Sequence, residues 1–310
     1  MAVKSTTARR RTPSRKTSES AMGGGRAAAA APGDAGLTND KRGRLVIIGT
    51  GIKTTGQLTT EAIAWMESAD SLLYVVGDPI AEAVMQRLNP KGAVSMGGYY
   101  EEGKSRLYAY NAMVEHMLGC VRNGDITAGA FYGHPGVFAY PSHESIRRAR
   151  KEGYDARMLP GISSEDCLFA DLGVDPAVGG CQSYEATDFL LNSVAIDPSS
   201  QLVLWQIGTL GDWTYQTRQY NTSAMPLLVR KLSRFYPLSH QITVYEAPMF
   251  PVAEPMIAKF PLYALADFPI TAAMTLYIPP AAARSPDPEM LGLFQMNAPY
   301  AAQGGEASQG

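Results

Sequence analysis

Cysteine, histidine and long apolar runs are all scarce in this chain of 310 residues. The three cysteines, Cys120, Cys167 and Cys181, show no C-x-x-C spacing, and the four histidines show no metal-ligand spacing. We therefore expect no disulfide framework and no metal site, and a reducing compartment, the cytoplasm, is the expected location. Every apolar run ends well before the roughly 20 residues that cross a bilayer, so no membrane segment is predicted.

Positive charge is scarce outside the amino terminus. Residues 1–44 hold ten Lys and Arg against three Asp and Glu, whereas the remaining chain holds 17 basic and 26 acidic residues. A region with this excess of acidic residues binds nucleic acid poorly, and no nucleic-acid partner is expected. Because residues 1–43 are also poor in apolar side chains, they are predicted to form a disordered basic arm, and residues 284–310 a flexible carboxyl-terminal tail.

Between these segments, short apolar runs alternate with stretches of helical periodicity. Strands are predicted at 45–49, 71–76, 126–133, 201–208, 241–248 and 272–280. Helices are predicted at 59–69, 106–124 and 226–236, and at 143–160 a helix followed by a short extended piece. This alternation favours mostly parallel sheets covered by helices. We expect an N-terminal α/β domain at 44–157 and a C-terminal α/β domain at 158–283.

Chemistry is expected where strands run into turns, because ligands of such sheets bind at the carboxyl ends of strands. The first turn, GTGIKTTG, matches neither G-x-G-x-x-G nor the Walker loop, which argues against a nicotinamide dehydrogenase. In the second, FYGHPGVFAYPSH (131–143), two glycines let the backbone approach a ligand, and the following Val-Phe pair suits an adenine or thioether pocket. In the third, MLPGISSEDCLFADLG (158–173), Ser163 and Ser164 start a helix, where capping and ligand contact can coexist.

Together these segments resemble the tetrapyrrole-methylase-type S-adenosylmethionine-dependent methyltransferases, and within them the omphalotin-type borosin peptide backbone α-N-methyltransferases. The resemblance covers about residues 44–282 and is carried by IIGTGIKTTGQLTTEA, YYEEGKSRLYAY, FYGHPGVFAYPSH, GYDARMLPGISSEDCLFADL, SYEATDFL, LVLWQIG and TLYIPP. It implies a tetrapyrrole-methylase-like α/β fold, with two α/β domains and the cofactor in the cleft between them.

The resemblance also implies S-adenosyl-L-methionine as cofactor, S-adenosyl-L-homocysteine as product, and a set of site residues. The implied cofactor-binding residues are Tyr132, Gly133, His134, Pro135, Val137, Phe138, Ser163, Ser164, Gln206, Gly208, Ala247, Met249 and Thr275. The implied catalytic residues are Tyr100, Arg106, Tyr110 and Tyr99. Where the family has a further tyrosine this chain has Gly97, so that tyrosine is either dispensable or replaced by Tyr99 or Tyr108.

A peptide nitrogen is a poor nucleophile because its lone pair is delocalised into the carbonyl, so methylation needs its proton removed. We expect Tyr100 or Tyr110 to act as the base, with Arg106 lowering the phenol pKa and stabilising charge on the amide oxygen. The plainer alternative is that Arg106 and Tyr110, four residues apart, share the face of an ordinary helix.

The expected substrate is a separate precursor peptide, methylated in trans by a homodimer that forms a heterotetramer with two precursors. Only about 30 residues follow TLYIPP in this sequence, and they contain no Val/Ile-rich stretch. One alternative is a tetrapyrrole or other small-molecule methyltransferase of the same fold. The other is a non-catalytic protein that binds the cofactor or a peptide. The precursor, the methylated residues and the role of the basic arm are left open by the sequence.

Overall fold

The computed structural model describes residues 43–217 and 220–294. The predicted basic arm, apart from Gly43, and the tail beyond residue 294 lie outside the described residues. Two five-stranded sheets form the centre of the described chain. Across the described ranges, no helix has the length and apolar character needed to cross a membrane.

The first sheet is parallel throughout, in the order β3-β2-β4-β1-β5. Its strands are β1 (Arg44–Gly49), β2 (Ser71–Val75), β3 (Ala93–Ser95), β4 (Ile126–Phe131) and β5 (Asp155–Met158). Its helices are α1 (Thr54–Gln57), α2 (Thr60–Ser68), α3 (Pro79–Leu88), α4 (Arg106–Arg122) and α5 (Tyr140–Lys151).

Helices cover both faces of this sheet, and the sequence of β1 shows why. Leu45 and Ile47 belong to one core cluster, with residues of α4 and α5, while Val46 and Ile48 belong to another, with residues of α2 and α3. Because side chains alternate across a strand, a continuous apolar run such as LVII buries both faces. Thr59 caps α2, its side chain accepting a hydrogen bond from the Ala62 backbone N–H.

The second sheet is mixed, in the order β6-β7-β10-β8-β9. Its strands are β6 (Cys181–Glu185), β7 (Gln201–Trp205), β8 (Gln241–Glu246), β9 (Met256–Pro261) and β10 (Thr275–Ile278). The later helices are α6 (Ser164–Leu172), α7 (Ala186–Leu191), α8 (Met225–Leu232) and α9 (Pro288–Leu293).

The expectation of a mostly parallel sheet is therefore wrong for the second half of the chain. The pair β6–β7 is parallel, and β7–β10, β10–β8 and β8–β9 are antiparallel. Parallel strands need a long crossover, whereas the nine residues 247–255 suffice to bring β9 back beside β8. The predicted α/β class is confirmed, and the proposed domain boundary at 157/158 stays a prediction.

Candidate functional site

A cavity of about 290 Å³ is lined by residues from both sheets. The first sheet contributes the segments that follow the carboxyl ends of its strands, among them Asp78 after β2 and Tyr132 to Phe138 after β4. The second sheet contributes Gln206 after β7, Ala247 after β8 and the residues at the start of β10. Both sheets thus present one edge to the same cavity.

Three turns of the first sheet pack backbone against backbone at Gly49, Gly133 and Gly161, which we call the glycine floor. A Cβ on Gly49 would lie 2.6 Å from the Gly133 carbonyl oxygen and 2.8 Å from the Gly161 Cα. The turns are also joined by hydrogen bonds from Gly51 N–H to the Gly133 oxygen (3.2 Å) and from Gly133 N–H to the Gly51 oxygen (2.9 Å). Glycine is required here because no side chain fits, and at Gly133 because φ is +71°.

Beside the glycine floor lies an apolar surface formed by Tyr132, Val137 and Phe138. Their exposed fractions are 58%, 42% and 48%, and all three line the cavity, so this open surface faces a potential ligand. Phe138 approaches Trp205 of the second sheet, with ring centroids 6.2 Å apart. The cavity therefore has an aromatic wall that spans both sheets.

Two residues of this cavity hold unusual backbone conformations. Phe138 has φ +52° and Gln206 has φ +58°, and they are the non-glycine residues with positive φ in the described ranges. Such conformations cost about 1–3 kcal/mol and concentrate at functional sites. The cost at both positions is consistent with a backbone shaped for ligand contact.

At the start of α6, the capping interpretation of the serine pair holds for Ser163. Its hydroxyl accepts from the Asp166 N–H (3.2 Å), and its own N–H donates to the Asp166 carboxylate (2.7 Å), which completes a capping box. Ser164 also lines the cavity, and its hydroxyl has no partner among the described residues. Ser164 is thus the hydroxyl of this pair that is free for a ligand.

Eleven of the predicted cofactor residues line the cavity, and two do not. Pro135 packs against the first turn, since a Cβ on Gly49 would lie 2.7 Å from its Cδ. Gly208 packs against the backbone of Thr271, whose carbonyl oxygen would lie 1.9 Å from a Cβ. The role of all thirteen residues in cofactor binding stays a prediction.

Two of the predicted catalytic residues, Tyr100 and Tyr110, line the cavity with their rings edge to face at 6.2 Å. Burial raises the pKa of Tyr100 well above its ordinary value, and the neighbouring phenols of Tyr110 and Tyr132 raise it further. The charge of Arg106 opposes this shift but is the smallest contribution. Arg106 thus lowers the pKa of Tyr100, as expected, but burial outweighs the guanidinium and the net shift of this pKa is upward.

The other two predicted catalytic residues do not line the cavity. The Arg106 guanidinium donates to the Asp212 carbonyl and lies 5.7 Å from the centre of the Tyr220 ring. The Tyr99 hydroxyl hydrogen bonds with Nδ1 of His116 at 3.0 Å. Arg106 can thus act on the cavity through its charge, whereas Tyr99 is engaged elsewhere.

Neither tyrosine expected to replace the one missing at position 97 reaches the cavity. Tyr99 is held by its bond to His116, and Tyr108 is 61% exposed with the Lys104 ammonium 5.6 Å from its ring centre. A different tyrosine, Tyr215, stacks on Tyr100 at 4.7 Å.

Sequence reasoning missed several residues of the site. Asp78, Trp205 and Glu246 line the cavity; Trp205 and Glu246 end strands and Asp78 follows β2 by three residues, so the strand-end rule could have found them. Tyr215 lies in the connection between β7 and α8, and no local pattern points to it. Its contact with Tyr100 joins residues more than a hundred positions apart.

The described residues contain no group of three or more His, Cys, Asp or Glu placed to hold a metal ion. The three cysteines are free, and burial raises the pKa of each thiol, that of Cys181 to about 11. A raised pKa disfavours the reactive thiolate. No cysteine is therefore activated as a nucleophile.

Solved structures share this fold. Uroporphyrin-III C-methyltransferase from Thermus thermophilus aligns with a TM-score of 0.56 at 17% identity, over 83% of this chain and 98% of that chain. A second structure of that enzyme, in complex with S-adenosylhomocysteine, gives 0.52 at 15% identity over 76% and 92% of the two chains. At such identities the likeness establishes the fold.

The family model described as Tetrapyrrole (Corrin/Porphyrin) Methylases matches residues 44–247. This chain belongs to that family. It is 41% identical over 262 residues to the methyltransferase/dendrothelin A precursor of Dendrothele bispora, covering 83% of this chain and 63% of the relative. It is also 41% identical over 263 residues to the methyltransferase/omphalotin A precursor of Omphalotus olearius, covering 84% and 63%. The chain thus spans less than two thirds of the length of these relatives.

Proposed function

We propose that this chain is an S-adenosylmethionine-dependent methyltransferase that methylates backbone amide nitrogens of a ribosomal precursor peptide. The observation that supports the proposal most directly is that Tyr100 and Tyr110 share one cavity with the glycine turn of Gly133. The chain is also 41% identical to relatives that are named as both methyltransferase and cyclic peptide precursor. Phenols beside a cofactor pocket are what transfer to an amide nitrogen requires.

The residues of the cavity fit the proposed cofactor. Open apolar surface at Val137, Phe138 and Met249 suits an adenine ring and a thioether, while Gln206 and Ser164 offer polar contacts. The carboxylates of Asp78 and Glu246 also line the cavity and suit hydroxyl and ammonium groups. When bound, S-adenosylmethionine would supply an electrophilic methyl group.

Contact with the amide oxygen and removal of the amide proton are assigned to side chains of this chain. Because its pKa is raised, Tyr100 stays protonated near neutral pH, and we assign it as the hydrogen-bond donor to the amide oxygen. We assign Tyr110 the removal of the amide proton while the nitrogen–carbon bond forms. Arg106 would favour negative charge at this end of the cavity.

The proposed substrate is a peptide on a separate chain, bound by a homodimer with two peptides, in the cytoplasm. The relatives combine methyltransferase and precursor in their names. In the present sequence, residues 281–310 contain neither valine nor isoleucine. The mass spectra described next distinguish a peptide supplied in trans from one carried on the same chain.

Mass spectrometry of the purified chain, incubated with cofactor and candidate precursor peptides, tests this proposal. We expect increments of about 14 Da that fragmentation assigns to backbone nitrogens of the added peptide. Increments on the chain itself would instead indicate modification in cis, and light-scattering would show whether the complex holds two copies of each chain.

Two control incubations separate the alternatives. A tetrapyrrole acceptor that is methylated while peptides are not would overturn the peptide assignment. A peptide that binds without release of S-adenosylhomocysteine would indicate a non-catalytic binding protein.

A further inference from the structure

The connection between β7 and α8 crosses to the loop that precedes α4. We call residues 211–217 the crossing segment. Thr214 pairs with Ser105 in an antiparallel bridge, and beside it Tyr215 N–H donates to the Lys104 oxygen and Gly103 N–H to the Tyr215 oxygen, both at 2.8 Å. These bonds fix the crossing segment against the loop that carries Tyr100.

Side-chain hydrogen bonds stiffen the crossing segment itself. The Asp212 carboxylate accepts from the Thr214 N–H (2.8 Å) and hydroxyl (2.6 Å), and these bonds lower the pKa of Asp212. Gln216 donates from its side-chain amide to the Thr214 hydroxyl at 2.8 Å. The backbone of Tyr215 is therefore held by bonds to the loop before α4 and by bonds between its neighbours in the crossing segment.

Tyr215 uses this fixed position to hold the ring of Tyr100. The two rings stack at 4.7 Å with an interplanar angle of 21°, while Tyr110 meets Tyr100 edge-on from another direction. The helical turn before Tyr100, Gly97–Tyr99, fixes the backbone of Tyr100 through a hydrogen bond from its N–H to the Gly97 oxygen at 3.1 Å. The orientation of the Tyr100 ring is then set by its ring neighbours, Tyr110 and the stacked Tyr215 of the crossing segment.

We propose that Tyr215 is a positioning residue for peptide methylation: it orients the Tyr100 phenol at the cavity wall without touching substrate or cofactor. This inference rests on the proposed function. The crossing segment also binds Arg106, whose guanidinium donates to the Asp212 carbonyl. One segment therefore sets the geometry of two residues of the proposed catalytic group.

Kinetics of the full chain with a methylatable peptide test the proposal. In Tyr215→Ala, kcat should fall roughly 10- to 100-fold, because a misplaced group costs about that much. The KM for peptide and the Kd for S-adenosylmethionine should stay within about twofold, since Tyr215 does not line the cavity. Tyr215→Phe keeps the ring and should stay within about threefold of wild type. Tyr263→Ala is the control, because Tyr263 is equally a tyrosine, is 61% exposed and does not line the cavity.

A fluorine NMR spectrum of 3-fluorotyrosine placed at position 100 gives a readout that needs no substrate. We expect a shifted or broadened resonance in Tyr215→Ala, and the wild-type resonance in Tyr215→Phe and Tyr263→Ala. If Tyr215→Ala does not fold, Tyr215→Leu replaces it, since it also removes the aromatic stack.

The outcomes distinguish this inference from the function on which it rests. An unchanged resonance at position 100 in Tyr215→Ala, or an unchanged kcat, would overturn the positioning role while leaving the methyltransferase intact. If the resonance changes in Tyr215→Ala but the wild-type chain methylates no peptide, the proposed function is overturned. Tyr215 then orients the Tyr100 ring without a consequence for catalysis.

Discussion

The two sheets reach the same cavity by different routes. In the first sheet every strand runs parallel, so all carboxyl ends lie at one edge and each following turn can contact a ligand. In the second sheet β7 and β8 point their carboxyl ends at the cavity, but β10, which lies between them, points its amino end. A mixed sheet can therefore build half of a site, though the rule for parallel sheets identifies only some of its residues.

The two sheets also differ in the kind of atoms that they present to the cavity. The first sheet presents backbone at the glycine floor, whereas the second presents side chains such as those of Glu246 and Met249. Backbone packing tolerates no added atom, while an open side chain can be shortened without disturbing its neighbours. Substitutions on the two sides should therefore have different consequences.

The largest effect is expected where the first side is proposed to carry proton chemistry. Arg106→Ala should lower peptide methylation by roughly 100- to 1,000-fold, because it removes a fixed positive charge near the reacting amide. Cofactor affinity, measured by calorimetry, should stay close to wild type, since Arg106 does not line the cavity. Arg147→Ala is the control, since this arginine pairs with Glu144 at 2.6 Å on the surface of α5. Near-normal turnover in Arg106→Ala would assign the chemistry elsewhere.

The glycine floor should show the next largest effect, on stability. A Cβ on Gly161 would lie 2.6 Å from the Gly133 oxygen and 2.8 Å from the Gly49 Cα, so Gly161→Ala should lower the free energy of unfolding by about 1–3 kcal/mol. Gly119→Ala, within α4 and with nothing within 4 Å, should raise it by about 0.5–1 kcal/mol. Urea unfolding measures both. An unchanged free energy of unfolding in Gly161→Ala would show instead that the glycine floor can open to admit a methyl group.

On the second side, shortening a side chain should weaken binding without unfolding the chain. Met249 is 46% exposed and lines the cavity, so Met249→Ala should reduce cofactor affinity by roughly tenfold while the urea midpoint stays unchanged. Titration of the variant with S-adenosylhomocysteine measures the loss. A lower midpoint together with normal affinity would show that Met249 is a packing residue.

The smallest effect concerns pH and buried phenols of the second sheet. Burial raises the pKa of Tyr236 and of Tyr277 to about 12. Above about pH 10 the unfolded chain loses these protons while the folded chain keeps them, so stability should fall as pH rises further. Because the buried Tyr236 hydroxyl has no partner, Tyr236→Phe should be close to neutral at pH 8 and reduce the loss at pH 11. If urea unfolding shows that wild type and Tyr236→Phe lose the same free energy of unfolding between pH 8 and pH 11, this account is wrong.

Sequence alone was sufficient for those features that are encoded locally. The run LVII of β1 and the glycines of the second turn could be interpreted because burial on both faces and positive φ each demand particular residue types. The mixed order of the second sheet could not, since β9 is a half-exposed edge strand whose partner is set by long-range pairing. The pKa of Tyr100 was also misjudged, because the atoms that bury it come from distant parts of the chain.

The glycine floor also limits how this pocket can diverge. A Cβ on Gly49 or Gly161 would lie within 3 Å of backbone atoms, and Gly133 has φ +71°, so a replacement at any of the three is strained before it can alter recognition. A library selected for a new acceptor should accordingly leave these codons untouched and accumulate its changes at exposed residues beside the two phenols, such as Tyr140, whose ring stacks on that of Tyr110 at 6.2 Å. Under the proposed function, the range of acceptors would then change while the glycine floor keeps its geometry.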